Sequence, residues 1–331
     1  MEFLHEYGLF LAKAGTVALF LLVVVAAVAG FVRAAREPDA GPEKLEVRHL
    51  NKAYRQASLT LKSAMLPPKL FKREHKALKA ELKREGKKSP KPSLFVLDFK
   101  GDLRASATEA LRDEITAVLT VAGAEDEVLV RLESGGGMVP AYGLAAAQLL
   151  RLRDRDIKLT VAVDKIAASG GYMMACTANT ILSAPFAILG SIGVIAQLPN
   201  FNRLLKRHDV DFEQFMAGEH KRTVTLFGEN TDQGREKFQQ EIEQAHALFK
   251  DFVARHRPQV DLEKIATGEY WYGGPALEHQ LTDKLQTSDD YLFERSREAE
   301  LYLIRKQTRK PLLTRLLPGA EDALTRLGHR G

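Results

Sequence analysis

A serine set between a β-branched run and a pair of glycines is the best seat for nucleophilic chemistry in this sequence. The run Leu159-Thr160-Val161-Ala162-Val163 reads as a buried strand. Ala167-Ala168-Ser169-Gly170-Gly171-Tyr172 then leads into a helix over 172–178. At a strand-to-helix junction the first helical N–H groups have no intrahelical partner and stabilise negative charge. That is where an acyl-transfer nucleophile and half of an oxyanion hole belong. The plainer reading of the same residues is that Ser169 caps the helix and the glycines allow close packing. A second glycine run, Glu133-Ser134-Gly135-Gly136-Gly137, closes another apolar segment, 127–132.

The elements around these residues alternate. Strands are expected over 93–99, 127–132, 159–163 and 180–183, with helices over 108–121, 139–153 and 172–178. This spacing predicts right-handed βαβ crossovers, an α/β fold and a mainly parallel sheet. Sites in such folds lie outside the carboxyl ends of the strands, so the two glycine stretches are expected to converge. Beyond Pro185 the chain is apolar with glycines over 188–195, helical over 201–208, and strand-like in its alternation over 211–216. A turn at 217–222 precedes a long amphipathic helix, 231–256, with Phe238, Ile242, Ala245, Leu248, Phe249 and Phe252 on one side. A turn and a short helix are expected over 268–285, and the tail from Arg305 is basic and peripheral.

Composition removes several classes of function. The lone Cys176 excludes an intramolecular disulfide and reads as a small buried apolar residue. No CxxC, histidine pair or phosphate-binding glycine loop stands in the chain, so neither a metal nor an organic cofactor is called for. The net charge of +5 is local: residues 37–92 carry fifteen Lys/Arg against seven Asp/Glu, which leaves the remainder slightly acidic. Within that segment, 70–85 has helical spacing of Leu70, Leu78 and Leu82 among lysines and arginines. It is a solvated helix or one lying on an anionic membrane surface. Nucleic acid is disfavoured as a partner, because aromatic residues do not interleave with the cations.

The N-terminus is membrane-directed. Residues 14–32 form an uncharged run of 19, bounded by Lys13 and Arg33, long enough to cross a bilayer as a helix. The length of the run and the acidic Glu2 and Glu6 ahead of it favour a retained anchor over a cleaved signal peptide. The chain is thus read as an anchor (1–36), a basic, proline-broken linker (37–92), a catalytic domain (93–300) and a basic tail (301–331). Arg33, Arg36, Lys44 and Arg48 after the anchor place its downstream side in the cytoplasm by the positive-inside rule.

Five stretches in order resemble the signal peptide peptidase A family of serine–lysine peptidases. They are the glycine loop 133–137, Ala168-Ser169-Gly170-Gly171-Tyr172, Gly190-Ser191-Ile192-Gly193, Gly218-Glu219-His220-Lys221, and Gly268-Glu269-Tyr270-Trp271-Tyr272-Gly273-Gly274-Pro275. The single catalytic region and long N-terminal extension look most like the SohB branch of bacterial inner-membrane proteases. The resemblance implies a ClpP/crotonase-like fold in which Ser169 is the nucleophile, Lys221 the general base and Ser191 the residue that orients the lysine amine. It also implies an oxyanion hole made by the Gly136 and Gly170 amides, and a homo-oligomeric ring or dome, such as an octamer, acting on signal peptides or other extended polypeptides. The family's periplasmic members and the charges around this anchor point to opposite faces of the membrane.

The implied roles are chemically coherent. A serine hydroxyl needs a base to remove its proton, and a lysine serves as that base only when neutral. Two positions depart from the family pattern: Gly135 stands where a proline is frequent, and His220 where an aromatic residue is frequent, which makes His220 a rival base. Two other classes fit parts of the sequence. An acyl-CoA enzyme of the same fold would use the oxyanion hole without Ser169, and a catalytically silent membrane scaffold would use neither.

Overall fold

The computed structural model describes residues 44–85, 91–218 and 221–307, together with seven helical residues between 8 and 22. The chain divides into two units, Met1–Lys44 with Gln307–Gly331, and Leu45–Lys306. All the strands among the described residues lie in the second. Most of the run 14–32 falls outside the described residues, and among those described no helix is long and apolar enough to cross a membrane.

In chain order the elements are β1 (Leu45–His49), α1 (Leu50–Met65), α2 (Pro68–Glu85), β2 (Ser93–Lys100), α3 (Thr108–Leu119), β3 (Glu127–Glu133), α4 (Val139–Arg153), β4 (Lys158–Val163), β5 (Ile166–Ala168) and α5 (Gly170–Ala175). They continue with β6 (Thr180–Ser183), β7 (Ile188–Gly190), α6 (Asn202–Arg207), α7 (Asp232–His256), α8 (Leu262–Ile265), β8 (Tyr270–Tyr272), α9 (Gly273–Glu278), β9 (Lys284–Leu285), α10 (Ser288–Arg295) and β10 (Glu300–Lys306). A seven-stranded sheet runs β1-β10-β2-β3-β4-β6-β9 and is parallel except for the β1–β10 pair. The expected mainly parallel α/β sheet is therefore present, with an antiparallel edge.

The central strands are apolar on both faces because both faces are covered. Successive side chains point oppositely, so Phe95, Leu97 and Phe99 join Val128, Val130, Leu159 and Val161 in one core with α4 and α5. Leu94 and Val96 join Leu129, Ala162, Leu182, Leu301 and Leu303 in the other. In α4, Tyr142, Ala145, Ala146, Leu149 and Leu152 recur at helical spacing and are all buried.

The sheet reaches past both boundaries read from the sequence. Residues 45–49, placed in the linker, are an edge strand, and residues 301–306, placed in the tail, belong to the strand Glu300–Lys306 between β1 and β2. Buried Asn51 joins them: its Nδ2 donates to the Ser296 and Ala299 carbonyls at 2.9 and 3.0 Å, and its Oδ1 accepts from Leu301 N–H at 2.7 Å. The basic helix α2 folds back on α1. Phe71, Glu74, His75 and Leu78 face Arg55, Leu59 and Lys62, and Lys62 pairs with Glu74 at 2.8 Å. Phe71 and Leu78 thus face protein, while Lys72, Lys76 and Lys79 are exposed.

The strand expected over 211–216 is absent. The segment pairs with no strand among the described residues, and Phe215 stands 91% exposed. Conversely, a small sheet ordered β5-β7-β8 was not legible as strands. It is this small sheet that carries the site.

Candidate active site

Ser169 sits where β5 turns into α5. Its backbone lies at φ 51° and ψ −119°, a region that residues with a β-carbon seldom occupy, and its hydroxyl caps no helical amide. The helix-cap reading therefore fails, since a cap has extended backbone and a side-chain bond to the second or third helical N–H. A strained strand-to-helix turn that leaves a serine hydroxyl uncommitted is the arrangement a nucleophile requires. The turn is held from both ends: Ser169 N–H donates to the Gly190 carbonyl at 2.8 Å, and its own carbonyl accepts from Met173 N–H at 2.9 Å.

The glycine loop lies against this turn, as the topology predicted. Ser134 bridges to Ala167 in parallel fashion, with Ser134 N–H on the Ile166 carbonyl at 2.8 Å and Ala168 N–H on the Ser134 carbonyl at 3.0 Å. Two residues on, Gly136 has φ +89°, and a β-carbon there would stand 2.7 Å from Gly170 N and 2.8 Å from Ser169 Cβ. Only glycine permits this approach. The sequence-assigned pair of oxyanion donors, Gly136 and Gly170, is thus brought together beside Ser169. The Gly136 N–H is itself donated to Ser134 Oγ at 3.1 Å.

Ser191 is brought close by register. Ala168 pairs with Gly190 in the parallel β5–β7 ladder, so Ser169 and Ser191 are the next positions on each strand, and both have φ near 50°. Its hydroxyl donates to the Gly268 carbonyl at 3.3 Å and its N–H to the Glu269 carbonyl at 2.7 Å. Lys221 is in an exposed turn, its N–H on the Gly218 carbonyl at 3.2 Å. Among the described residues no hydrogen bond joins its amine to Ser169 or Ser191. His220 lies outside the described residues. A cleft of about 400 Å³ opens beside Arg222, lined by Phe212, Met216, Thr223 and Thr231, and does not include Ser169.

Two residues that sequence reasoning passed over complete the site's support. Tyr142 is fully buried in α4, with its ring against Gly170 and its hydroxyl donating to the Asp102 carbonyl at 2.7 Å. Ser134 Oγ lies 2.6 Å from the same hydroxyl. The signal was present: a tyrosine on an otherwise apolar helix stripe needs a partner for its O–H when buried. Nearby Cys176 is buried in the core, as its small apolar surroundings suggested, and burial pushes its thiol up.

Sequence comparison decides the family. The chain matches the model of the peptidase family S49 N-terminal region over residues 2–149 and that of peptidase family S49 over residues 151–301. The chain belongs to peptidase family S49. It is a serine-type peptidase. Its relatives include a "Probable protease SohB" of Haemophilus influenzae, 46% identical over 99% of this chain and 96% of that one. Another protein of that name, from Buchnera aphidicola subsp. Schlechtendalia chinensis, is 44% identical over 89% of this chain and all of its own length. Among solved structures, a membrane-bound stomatin-specific protease is 14% identical, covering 62% of this chain and 84% of its own with a TM-score of 0.42.

Proposed function

We propose that this S49 peptidase is a membrane-anchored endopeptidase that cleaves extended polypeptides, signal peptides among them, through an acyl-enzyme on Ser169. The observation that carries this is the Ser169 turn: a strained backbone, a hydroxyl with no hydrogen bond among the described residues, and the Gly136 and Gly170 backbones packed beside it. In the reaction, neutral Lys221 takes the Oγ proton as Ser169 attacks the substrate carbonyl, while Ser191 aims the amine. The Gly136 and Gly170 N–H groups hold the tetrahedral oxyanion. Lys221 then returns the proton to the departing amine, and water hydrolyses the ester. This reading requires Lys221, exposed in this structure, to reach Ser169. No cofactor enters any step.

The remaining parts of the reading concern placement and access. Residues 14–32 anchor the chain in a bacterial inner membrane, and copies assemble into a ring or dome, on a ClpP/crotonase-like fold, whose chamber admits unfolded chains. The test is cleavage of casein or a signal peptide by the detergent-solubilised full chain, with Ser169→Ala and Lys221→Ala alongside. Both variants are expected to be folded and inactive. An active Lys221→Ala assigns the base to another residue, with His220 the next to substitute, and an active Ser169→Ala removes the proposal altogether.

A further inference from the structure

Three consecutive glycines form a poor scaffold for an oxyanion hole. Gly135, Gly136 and Gly137 lose more backbone freedom on ordering than any other residues would. Preorganisation is what makes such donors effective, so something must fix them. Gly135 is exposed and offers no side chain for the purpose.

The structure contains one directional chain of hydrogen bonds that ends on this loop. The Asp102 carbonyl can only accept, so it takes the single proton of Tyr142 Oη, at 2.7 Å. With that proton committed, the 2.6 Å contact between Tyr142 Oη and Ser134 Oγ has Ser134 as its donor. Ser134 Oγ is then left with lone pairs alone, and it accepts from Gly136 N–H at 3.1 Å. Every proton in the chain Gly136 N–H, Ser134 O–H, Tyr142 O–H has one destination. Ser134 is 2% exposed and Tyr142 is fully buried, so water does not compete.

We infer that Ser134 and Tyr142 are positioning residues for the proposed oxyanion hole, holding the Gly136 amide in register with Ser169 before any oxyanion forms. A serine oxygen accepting from the N–H two residues on is a side-chain turn, which shapes the backbone as a β-turn does. Its main chain meanwhile clamps β5 just ahead of the nucleophile, through Ile166 and Ala168. One residue thus fixes the donor loop relative to the serine. The bond to Ser134 is long and made to a neutral oxygen. A developing oxyanion is the stronger acceptor and can take the amide from it.

This inference rests on the Ser169 acyl-enzyme reading, and the experiment separates the two. Ser134→Ala, Tyr142→Phe and the double variant are made in the full-length detergent-solubilised protein, with Ser169→Ala as the control. Steady-state cleavage of a fluorogenic peptide and thermal melting are measured for each. Ser134→Ala is expected to lower kcat about tenfold to a hundredfold with KM changed less than about threefold, as for a misplaced catalytic group. Tyr142→Phe, one bond further away, is expected to lose less, and the double variant no more than Ser134→Ala, because both act through the same amide. If Ser169→Ala is dead while the other variants keep wild-type kcat and merely melt lower, the pair is structural and the inference falls alone. A higher kcat in Ser134→Ala overturns it too, since Ser134 would then compete for the amide. If Ser169→Ala is active, the acyl-enzyme reading itself has failed.

Discussion

The amide of Ser169 donates to the carbonyl of Gly190 at 2.8 Å, which ties the Ser169 turn to the end of β7. Gly190 has φ +96°, and a β-carbon on it would stand 2.8 Å from Trp271 Cε3. Gly190→Ala is therefore strained twice, by backbone and by the ring. It is expected to cost about 2 kcal/mol or more and to lower peptide cleavage by loosening the Ser169 turn. Thermal melts and casein assays of the variant check both, and wild-type behaviour in each would remove the argument.

Ser169 holds a backbone conformation that residues with a β-carbon seldom adopt. Removing the hydroxyl as Ser169→Ala or Ser169→Gly is expected to abolish cleavage equally. Glycine occupies φ 51°, ψ −119° without penalty, so Ser169→Gly should be more stable than Ser169→Ala by about 1 kcal/mol. Denaturant melts of the two inactive proteins give the difference directly. Equal midpoints would mean that the turn is unstrained.

Much of this architecture was legible in the sequence, and the exceptions have physical causes. The helix expected over 139–153 and the strand over 180–183 are found with those bounds, because their patterns are long or sharply punctuated. β5, β7 and β8 have three residues each, too few to display a period of two. β1 reads Leu-Glu-Val-Arg-His, with two apolar residues in five. It is a strand because β10 lies beside it, and that partner is invisible locally. Ser169, Gly136 and Gly170 were named from motifs and do meet. The feature that separates a nucleophile from a helix cap is a backbone angle, which residue types alone do not reveal. The contact of the Ser191 hydroxyl with the Gly268 carbonyl, 77 positions away, is likewise invisible in its motif.

The pair formed by Arg257 and Asp283 should fail asymmetrically. Arg257 is 3% exposed and donates to both carboxylate oxygens of Asp283, at 2.9 and 2.8 Å, and to the Gln280 carbonyl at 2.7 Å. Asp283 is a third exposed and also accepts from Ile181 N–H at 2.7 Å. Asp283→Leu strands a buried cation and is expected to cost about 3–5 kcal/mol, whereas Arg257→Leu leaves a carboxylate that water still reaches and should cost less. Urea unfolding of both variants ranks them, and the reverse order would show that the buried cation is not the dominant penalty.

Glu114 sets a pH dependence. Burial raises its carboxyl to about 7, although Oε1 accepts from Lys306 N–H at 2.7 Å. An acid whose folded pKa exceeds its unfolded value binds its proton more tightly when folded. Its stabilising effect is full at low pH and is lost as pH rises from about 4.5 to about 7. The loss is on the order of 3 kcal/mol. Glu114→Gln keeps the oxygen for Lys306 N–H and removes the titration. Its urea midpoint should therefore change less between pH 5 and pH 8 than that of the wild type. An identical slope in both proteins would exclude Glu114 as the cause.

The contact between Asn51 and Leu301 spans 250 positions and brings the first strand of the sheet to the last. At translation rates of about 5–20 residues per second, roughly 12–50 seconds separate the emergence of these two residues from the ribosome. Throughout that interval β2, which β10 finally covers through the pairing of Leu94 with Leu301, has an open apolar edge. The α1–α2 hairpin, whose contacts are local, can form early, but β1 must wait with its backbone unpaired until the last strand arrives. The protein is therefore most vulnerable to aggregation while it is still being made, and a nascent chain stopped short of residue 300 has no means of closing its sheet.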